Sequence, residues 1–136
     1  MKFLPLIASL TLVAAPVFAE GDAAKGENEF KKCKACHAIT APDGTDIVKG
    51  GKVGPNLYGV VGRPLASVEG FAYGDGIKEA AGKGLVWDEA MIAAYVADPT
   101  KWLEEQTGDP KAKSKMSFKL PKGGEDVAAY LASVAK

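Results

Sequence analysis

The chain has 136 residues, 47% of them hydrophobic, and its 17 basic and 17 acidic side chains leave no net charge. This length fits one small domain, and the balanced charge gives no reason to expect nucleic acid as a partner. The sequence contains only two cysteines and one histidine, too few nitrogen and sulfur donors to complete a structural zinc site.

The N-terminal segment, residues 1–19, is predicted to be a cleaved signal peptide. It has a lysine near its start, an apolar run over residues 3–17 and a small residue, Ala19, at its end, as secretory signals do. The run is shorter than the about 20 residues that cross a bilayer, although an uncleaved anchor is the alternative. Cleavage leaves residues 20–136 as one exported domain that is not integral to the membrane.

The first helix is predicted over residues 22–33. Its apolar residues Ala23, Gly26, Phe30 and Cys33 follow at intervals of three and four, the period of a helix with one apolar face. Asp22 is a suitable N-cap. Gly26 costs about 1 kcal/mol relative to alanine inside a helix, so we expect another element to approach the helix closely there.

The sequence Cys33-Lys34-Ala35-Cys36-His37 follows directly. Two cysteines separated by two residues and followed at once by histidine form the attachment signature of c-type haem. The thiols would bond to the two vinyl groups of the porphyrin, and the histidine would ligate the iron from one face. A redox-active dithiol is the alternative interpretation of the two cysteines.

The middle of the chain, residues 38–84, is rich in turn-forming residues, including Pro42-Asp43-Gly44 and Gly54-Pro55-Asn56. Such sequences favour irregular backbone over helix or strand. The apolar residues between 57 and 61 are expected to fold inward against a flat group such as haem. One short helix is predicted over 76–81.

The C-terminal part is predicted to hold three helices. The clearest one covers 88–97, where apolar residues repeat at helical spacing before Asp98-Pro99 ends it. A shorter helix is predicted over 100–105, and 107–122 is predicted to be a lysine-rich loop. The last helix, over 125–135, has its apolar residues on one face and is expected to pack on the first helix at Gly26 and Phe30.

The ligand on the second face of the iron would separate a carrier from a catalyst. A second histidine is excluded because the sequence has only one, and a methionine thioether is the remaining strong candidate. Met1 leaves with the signal peptide, and Met91 lies on the apolar face of a predicted helix, where methionine normally fills the core. Met116 lies in a polar loop, where it could be a ligand or a surface residue.

Lysines are concentrated in two clusters. A cluster of this kind is either an ordinary solvated face or a docking surface for an acidic partner. The candidate docking residues are Lys31, Lys32 and Lys34 beside the cysteine motif, and Lys111, Lys113, Lys115, Lys119 and Lys122 around Met116.

Together these features resemble the class I cytochromes c, and within them the bacterial cytochrome c2 and cytochrome c550 group. The resemblance extends over 21–136. Its markers are Gly26 and Phe30, the motif of residues 33–37, the stretch 54–63, Trp87, Tyr95, Pro99, Met116, Phe118 and Tyr130-Leu131. It implies an all-α class I cytochrome c fold, in which the N- and C-terminal helices pack crosswise and a third helix and long loops surround one covalently bound haem.

The resemblance also implies a role for individual residues. His37 and Met116 would be the axial ligands of the iron, and Cys33 and Cys36 would carry the thioether bonds. The Pro55 carbonyl would accept the ring N–H of the histidine. The remaining residues of the haem surround would be Arg63, Tyr73 and Trp87 near the propionates, and Tyr95 and Phe118 beside the methionine.

The function implied is that of a soluble, monomeric, periplasmic one-electron carrier that is not an enzyme. Its partners would be the cytochrome bc1 complex as donor and a photosynthetic reaction centre or terminal oxidase as acceptor, with the two lysine clusters around the exposed haem edge as the docking face. Two rival hypotheses are a haem enzyme or gas-binding protein, in which Met116 does not hold the iron, and a thiol-disulfide protein without haem.

Overall fold

The computed structural model describes residues 21–135. The predicted signal peptide and its cleavage site lie outside the described residues. Within them, none of the helices has the length and apolar character that a bilayer crossing requires.

The N-terminal helix forms as predicted. Helix α1 covers Ala23–Glu29 and continues as a 3-10 turn over Phe30–Lys32. The Asp22 carboxylate caps it by accepting hydrogen bonds from the backbone N–H groups of Ala24, at 2.9 Å, and Lys25, at 3.2 Å. This turn delivers Cys33 to the interior of the molecule.

Four further helices follow: α2 over Asp75–Ala81, α3 over Glu89–Ala97, α4 over Pro99–Thr107 and α5 over Gly124–Val134. All four were predicted, but α4 is longer at both ends than the predicted 100–105. Proline suits the first turn of a helix because the N–H that it lacks has no intrahelical partner there. Asp98 caps α4 through the Lys101 N–H at 3.2 Å, and Gly108 ends it in the left-handed conformation at φ 70°.

The terminal helices pack against each other where the sequence predicts. A Cβ at Gly26 would overlap the Asp126 carbonyl and would approach the Cβ of Tyr130 to 2.8 Å, so only glycine lets α1 and α5 come this close. The rings of Phe30 and Tyr130 pack beside this contact, with their centroids 5.8 Å apart. The terminal helices therefore form the base on which the loops are arranged.

One element departs from the predicted irregular backbone. Strands β1 (Ile39–Thr40) and β2 (Asp46–Val48) pair in antiparallel fashion, with Ile39 opposite Val48. Strands of two and three residues are too short to show an alternating pattern in the sequence. The remaining regular elements of residues 21–135 are helices joined by long loops, so the predicted fold class is confirmed with this small hairpin added.

Candidate functional site

A cavity of about 820 Å³ lies between the helices and the loops. Its wall includes core residues from the 3-10 turn after α1, from α3 and from α5, such as Phe30, Ile92 and Leu131, together with residues of the loops. Every residue predicted for the ligands, the thioethers and the haem surround lines this one cavity. These are Cys33, Cys36, His37, Pro55, Arg63, Tyr73, Trp87, Tyr95, Met116 and Phe118.

A tight turn brings the three reactive side chains of the cysteine motif to the cavity. The backbone N–H groups of Cys36 and His37 both donate to the Cys33 carbonyl, at 3.1 Å and 3.0 Å. Cys33 is half-buried and Cys36 is exposed, and the two are not joined in a disulfide. Burial, and then the carboxylate of Glu29, raise the pKa of the Cys33 thiol, which keeps it in the neutral form.

His37 is held so that one ring nitrogen remains available to a ligand. Its Nδ1 lies 2.8 Å from the Pro55 carbonyl oxygen, which can only accept, so Nδ1 carries the proton and Nε2 keeps its lone pair. Burial lowers the pKa of His37, the hydrogen bond to Pro55 opposes this, and the charge of Arg63 adds to the lowering. A neutral imidazole with one fixed tautomer is the form that ligates metals.

Gly54 packs against the flat face of the His37 ring. A Cβ at this position would lie 2.6 Å from Nδ1 and 2.7 Å from Nε2, well inside van der Waals contact. Asn56, two residues on, fixes the same loop to β1, since its side chain accepts from the Thr40 N–H at 2.9 Å and donates to the Thr40 carbonyl at 2.8 Å. These contacts hold Pro55 in place for its hydrogen bond to His37.

Arg63 brings a half-buried positive charge to the cavity wall. Its guanidinium donates to the carbonyls of Asn56, at 3.0 Å, and Tyr58, at 3.2 Å. Burial lowers the pKa of Arg63, although the guanidinium remains charged because its reference value is so high. The Tyr73 hydroxyl accepts from the Val68 N–H at 2.9 Å. Both side chains can thus offer polar atoms to an anionic group in the cavity, as the resemblance implies for the propionates.

Two aromatic rings of the cavity wall, Trp87 and Tyr95, pack against a third ring, Trp102. Trp87 stacks on Trp102 with a centroid distance of 5.3 Å and packs edge-on against Tyr95 at 5.2 Å. Burial raises the pKa of the Tyr95 hydroxyl, and a hydrogen bond with Ser114 partly offsets this. The sequence analysis does not single out Trp102, which is buried outside the cavity wall and supports both Trp87 and Tyr95.

Met116 reaches the cavity on the loop between α4 and α5, and Phe118 lies beside it with 42% of its surface exposed. Met91, by contrast, packs against the hydrophobic core, as the sequence predicts. His37 and Met116 therefore come from distant parts of the chain and face the same space.

The predicted docking lysines divide into two groups. All eight are exposed, but only Lys32, Lys113 and Lys115 line the cavity. The cavity wall does not include Lys31, Lys34, Lys111, Lys119 or Lys122. Lys32 is paired with Glu29 at 2.9 Å and Lys119 with Asp98 at 3.4 Å.

The donors at the cavity suit haem c. They comprise two thiols at the attachment spacing, one imidazole nitrogen and one thioether sulfur, within a wall that is mostly apolar. Over residues 21–135, histidine, cysteine and carboxylate side chains form no group of three or more that could hold a metal ion. The fit is therefore to a macrocycle with axial ligands and not to a bare metal ion.

Comparison with known proteins finds close relatives among bacterial cytochromes. The chain is 65% identical over 128 residues to cytochrome c-550 of Paracoccus versutus, covering 93% of this chain and 83% of that protein. It is 62% identical over 130 residues to cytochrome c2 of Rhodobacter capsulatus, covering 96% of this chain and 93% of that protein. The X-ray structure of ferric cytochrome c-550 from Paracoccus versutus matches with a TM-score of 0.84 at 66% identity, covering 86% of this chain and 100% of that chain. No family model matches the sequence.

Proposed function

The chain belongs to the class I cytochromes c, in the cytochrome c2 and cytochrome c550 group, and we propose that it is a periplasmic electron carrier whose iron is ligated by His37 and Met116. As a member of this family it carries one covalently bound haem c. Cys33 and Cys36 would form the two thioether bonds.

This ligation is supported by the position of two ligand atoms, a histidine nitrogen and a methionine sulfur, at the same cavity. His37 presents Nε2 because Nδ1 is committed to Pro55, and Met116 supplies a sulfur from a separate loop that lines the same space. The sequence contains no second histidine that could compete with it.

The haem supplies a one-electron couple between ferric and ferrous iron. The protein's part is to hold both ligands, to keep water from the metal and to surround it with apolar side chains such as Leu57, Ile92 and Leu131. An apolar surround disfavours added positive charge, and a thioether ligand stabilises the ferrous state, so both raise the midpoint potential. With His37 and Met116 both holding the iron, the protein would have little to rearrange between the two oxidation states.

The proposed donor is the cytochrome bc1 complex, and the proposed acceptor is a photosynthetic reaction centre or a terminal oxidase. Lys32, Lys113 and Lys115 surround the cavity, and the other predicted docking lysines lie on the exposed surface. Positive charge at this face would steer a monomeric carrier to an acidic partner, with association rates that fall as salt rises.

The test is spectroscopic and uses the exported holoprotein. A ferric haem ligated by methionine sulfur has a weak charge-transfer band at the red end of the visible spectrum, and we expect this band in the wild type and its loss in Met116→Ala. Met91→Leu, which changes a core methionine, should keep the band. A high-spin wild type that binds carbon monoxide readily would instead indicate a haem enzyme or gas-binding protein, and a chain without haem stain after denaturing electrophoresis would indicate a thiol-disulfide protein.

A further inference from the structure

Met116 lies in the middle of a loop, residues 113–120, which we call the Met116 loop. At its C-terminal end the loop is fixed to the junction of α3 and α4. The Leu120 N–H donates to the Val96 carbonyl at 2.7 Å, and the Lys119 ammonium lies 3.4 Å from the Asp98 carboxylate. The C-terminal end of the loop is therefore held by a backbone hydrogen bond and an ion pair.

At the N-terminal end of the loop, the Lys115 ammonium donates to the Ala72 carbonyl at 3.3 Å, and Ser114 makes the hydrogen bonds to the helices. Its backbone N–H donates to the Thr100 hydroxyl in α4 at 3.1 Å, and its own hydroxyl lies 3.0 Å from the Tyr95 hydroxyl in α3. The same Ser114 oxygen accepts the backbone N–H of Met116 at 3.0 Å. Ser114 thus links α3 and α4 directly to the main chain of the proposed ligand.

The hydroxyl of Ser114 can satisfy both partners at once. A serine hydroxyl has one donor and two acceptor sites, so it can bond to Tyr95 and still accept from Met116. An alanine at this position would leave the Tyr95 hydroxyl and the Met116 N–H without this partner, and both residues are half-buried. Removing one member of such a network costs more than the bond itself because the remaining groups stay desolvated.

We propose that Ser114 is the positioning residue for the Met116 sulfur. By bonding to the Met116 N–H and to Tyr95, its hydroxyl fixes the turn that directs the thioether into the cavity. The proposal rests on the proposed His37 and Met116 ligation, since a loop that carried no ligand would need no such restraint.

The test measures how easily an external ligand displaces methionine. Imidazole binds the ferric haem of the holoprotein only when the sulfur has left, so a loosened loop raises the apparent affinity for imidazole. One hydrogen bond of this kind corresponds to a change of about 3- to 10-fold. Ser114→Ala should therefore raise the imidazole affinity by about that factor and weaken the methionine charge-transfer band, while Ser114→Thr, which keeps the hydroxyl, should restore both.

The matched control is Ser117→Ala, which removes a hydroxyl from the other side of Met116 that takes no part in this network. It should leave the imidazole affinity within about 2-fold of the wild type, a change below that of a typical lost hydrogen bond. If Ser114→Ala yields no holoprotein, Tyr95→Phe removes the partner of the Ser114 hydroxyl in α3, and an unchanged imidazole affinity in that variant would overturn the proposal. A wild type that lacks the charge-transfer band refutes the ligation itself, whereas a wild type with the band and a Ser114→Ala variant that binds imidazole no better refutes only the role of Ser114.

Discussion

Replacing Gly54 by alanine should disturb His37 directly. Gly54 has no positive φ, so an alanine there meets no backbone strain, and any cost must come from its Cβ. That Cβ would lie 2.6 Å from Nδ1 and 2.7 Å from Nε2, whereas ordinary van der Waals contact begins at 3.4 Å. The imidazole must therefore move away by about 1 Å.

A displacement of this size has two costs. Overpacking of a well-filled site costs about 1 to 3 kcal/mol. The new Cβ would push the ring along its normal, so the bond from Nδ1 to the Pro55 carbonyl, now 2.8 Å, would bend out of the ring plane, which costs about 1 kcal/mol more. We expect Gly54→Ala to lower the free energy of unfolding of the ferric holoprotein by about 2 to 4 kcal/mol and to shift the midpoint potential, because the hydrogen bond that orients the histidine ring is distorted.

The assay is denaturant unfolding, followed by the haem spectrum and combined with a redox titration. Gly82→Ala is the matched control, since Gly82 is exposed, also lacks a positive φ and would place its Cβ no closer than 3.3 Å to any neighbour. The control should change the free energy of unfolding by no more than about 0.5 kcal/mol. If Gly54→Ala behaves like this control in both measurements, Gly54 does not hold the ring and the reasoning fails.

Three further predictions address the helices, the docking face and the acid range. Gly26→Ala should destabilise the protein by about 1 to 3 kcal/mol in denaturant unfolding, despite the gain in helix propensity. The opposite change, Ala24→Gly at an exposed position of α1, should also destabilise it, by about 1 kcal/mol. A Gly26→Ala variant that is more stable than the wild type would contradict the close helix contact. Lys113→Glu should slow electron transfer to an isolated partner complex several-fold at low salt and leave the midpoint potential unchanged. The control Lys101→Glu, on α4, should slow electron transfer less. Equal rate reductions in the two variants would argue against a local docking face. The bond from the Lys101 N–H lowers the pKa of Asp98 in the folded state, so its charge stabilises the fold above the unfolded pKa of about 3.9, and this contribution disappears as pH falls through the folded value. Asp98→Asn should therefore lose stability at neutral pH and approach the wild type in acid; a difference that does not vary with pH would exclude the charge as its origin.

The cysteine motif could be predicted from sequence because covalent attachment fixes the spacing of Cys33, Cys36 and His37 along the chain. The contact between the terminal helices could also be predicted, since Gly26 is costly in a helix unless a neighbour needs the space. In both cases a short stretch of sequence carries the physical constraint.

The anchoring of the Met116 loop could not be predicted in this way. Ser114 bonds to Tyr95 and Thr100, which are 19 and 14 residues away, and no local period or motif marks such a pair. The Asp98-Pro99 sequence ends α3 as predicted. The start of α4 differs from the prediction by one residue, because the same proline takes the first position of the helix that Asp98 caps.

The two proposed ligands are held in different ways, and this difference bears on how the site should respond to change. His37 lies in a tight turn between Cys36, which is proposed to carry a thioether bond, and the packed loop of Gly54 and Pro55, so its main chain has little freedom. Met116 lies in a loop whose N-terminal restraints are the hydrogen bonds of Ser114 and of the exposed Lys115 side chain. Side-chain hydrogen bonds of this kind contribute about 1 kcal/mol each, less than the combined cost of displacing the imidazole. Under destabilising conditions the iron should therefore lose Met116 before His37, and the hydrogen bonds of Ser114 should oppose that loss.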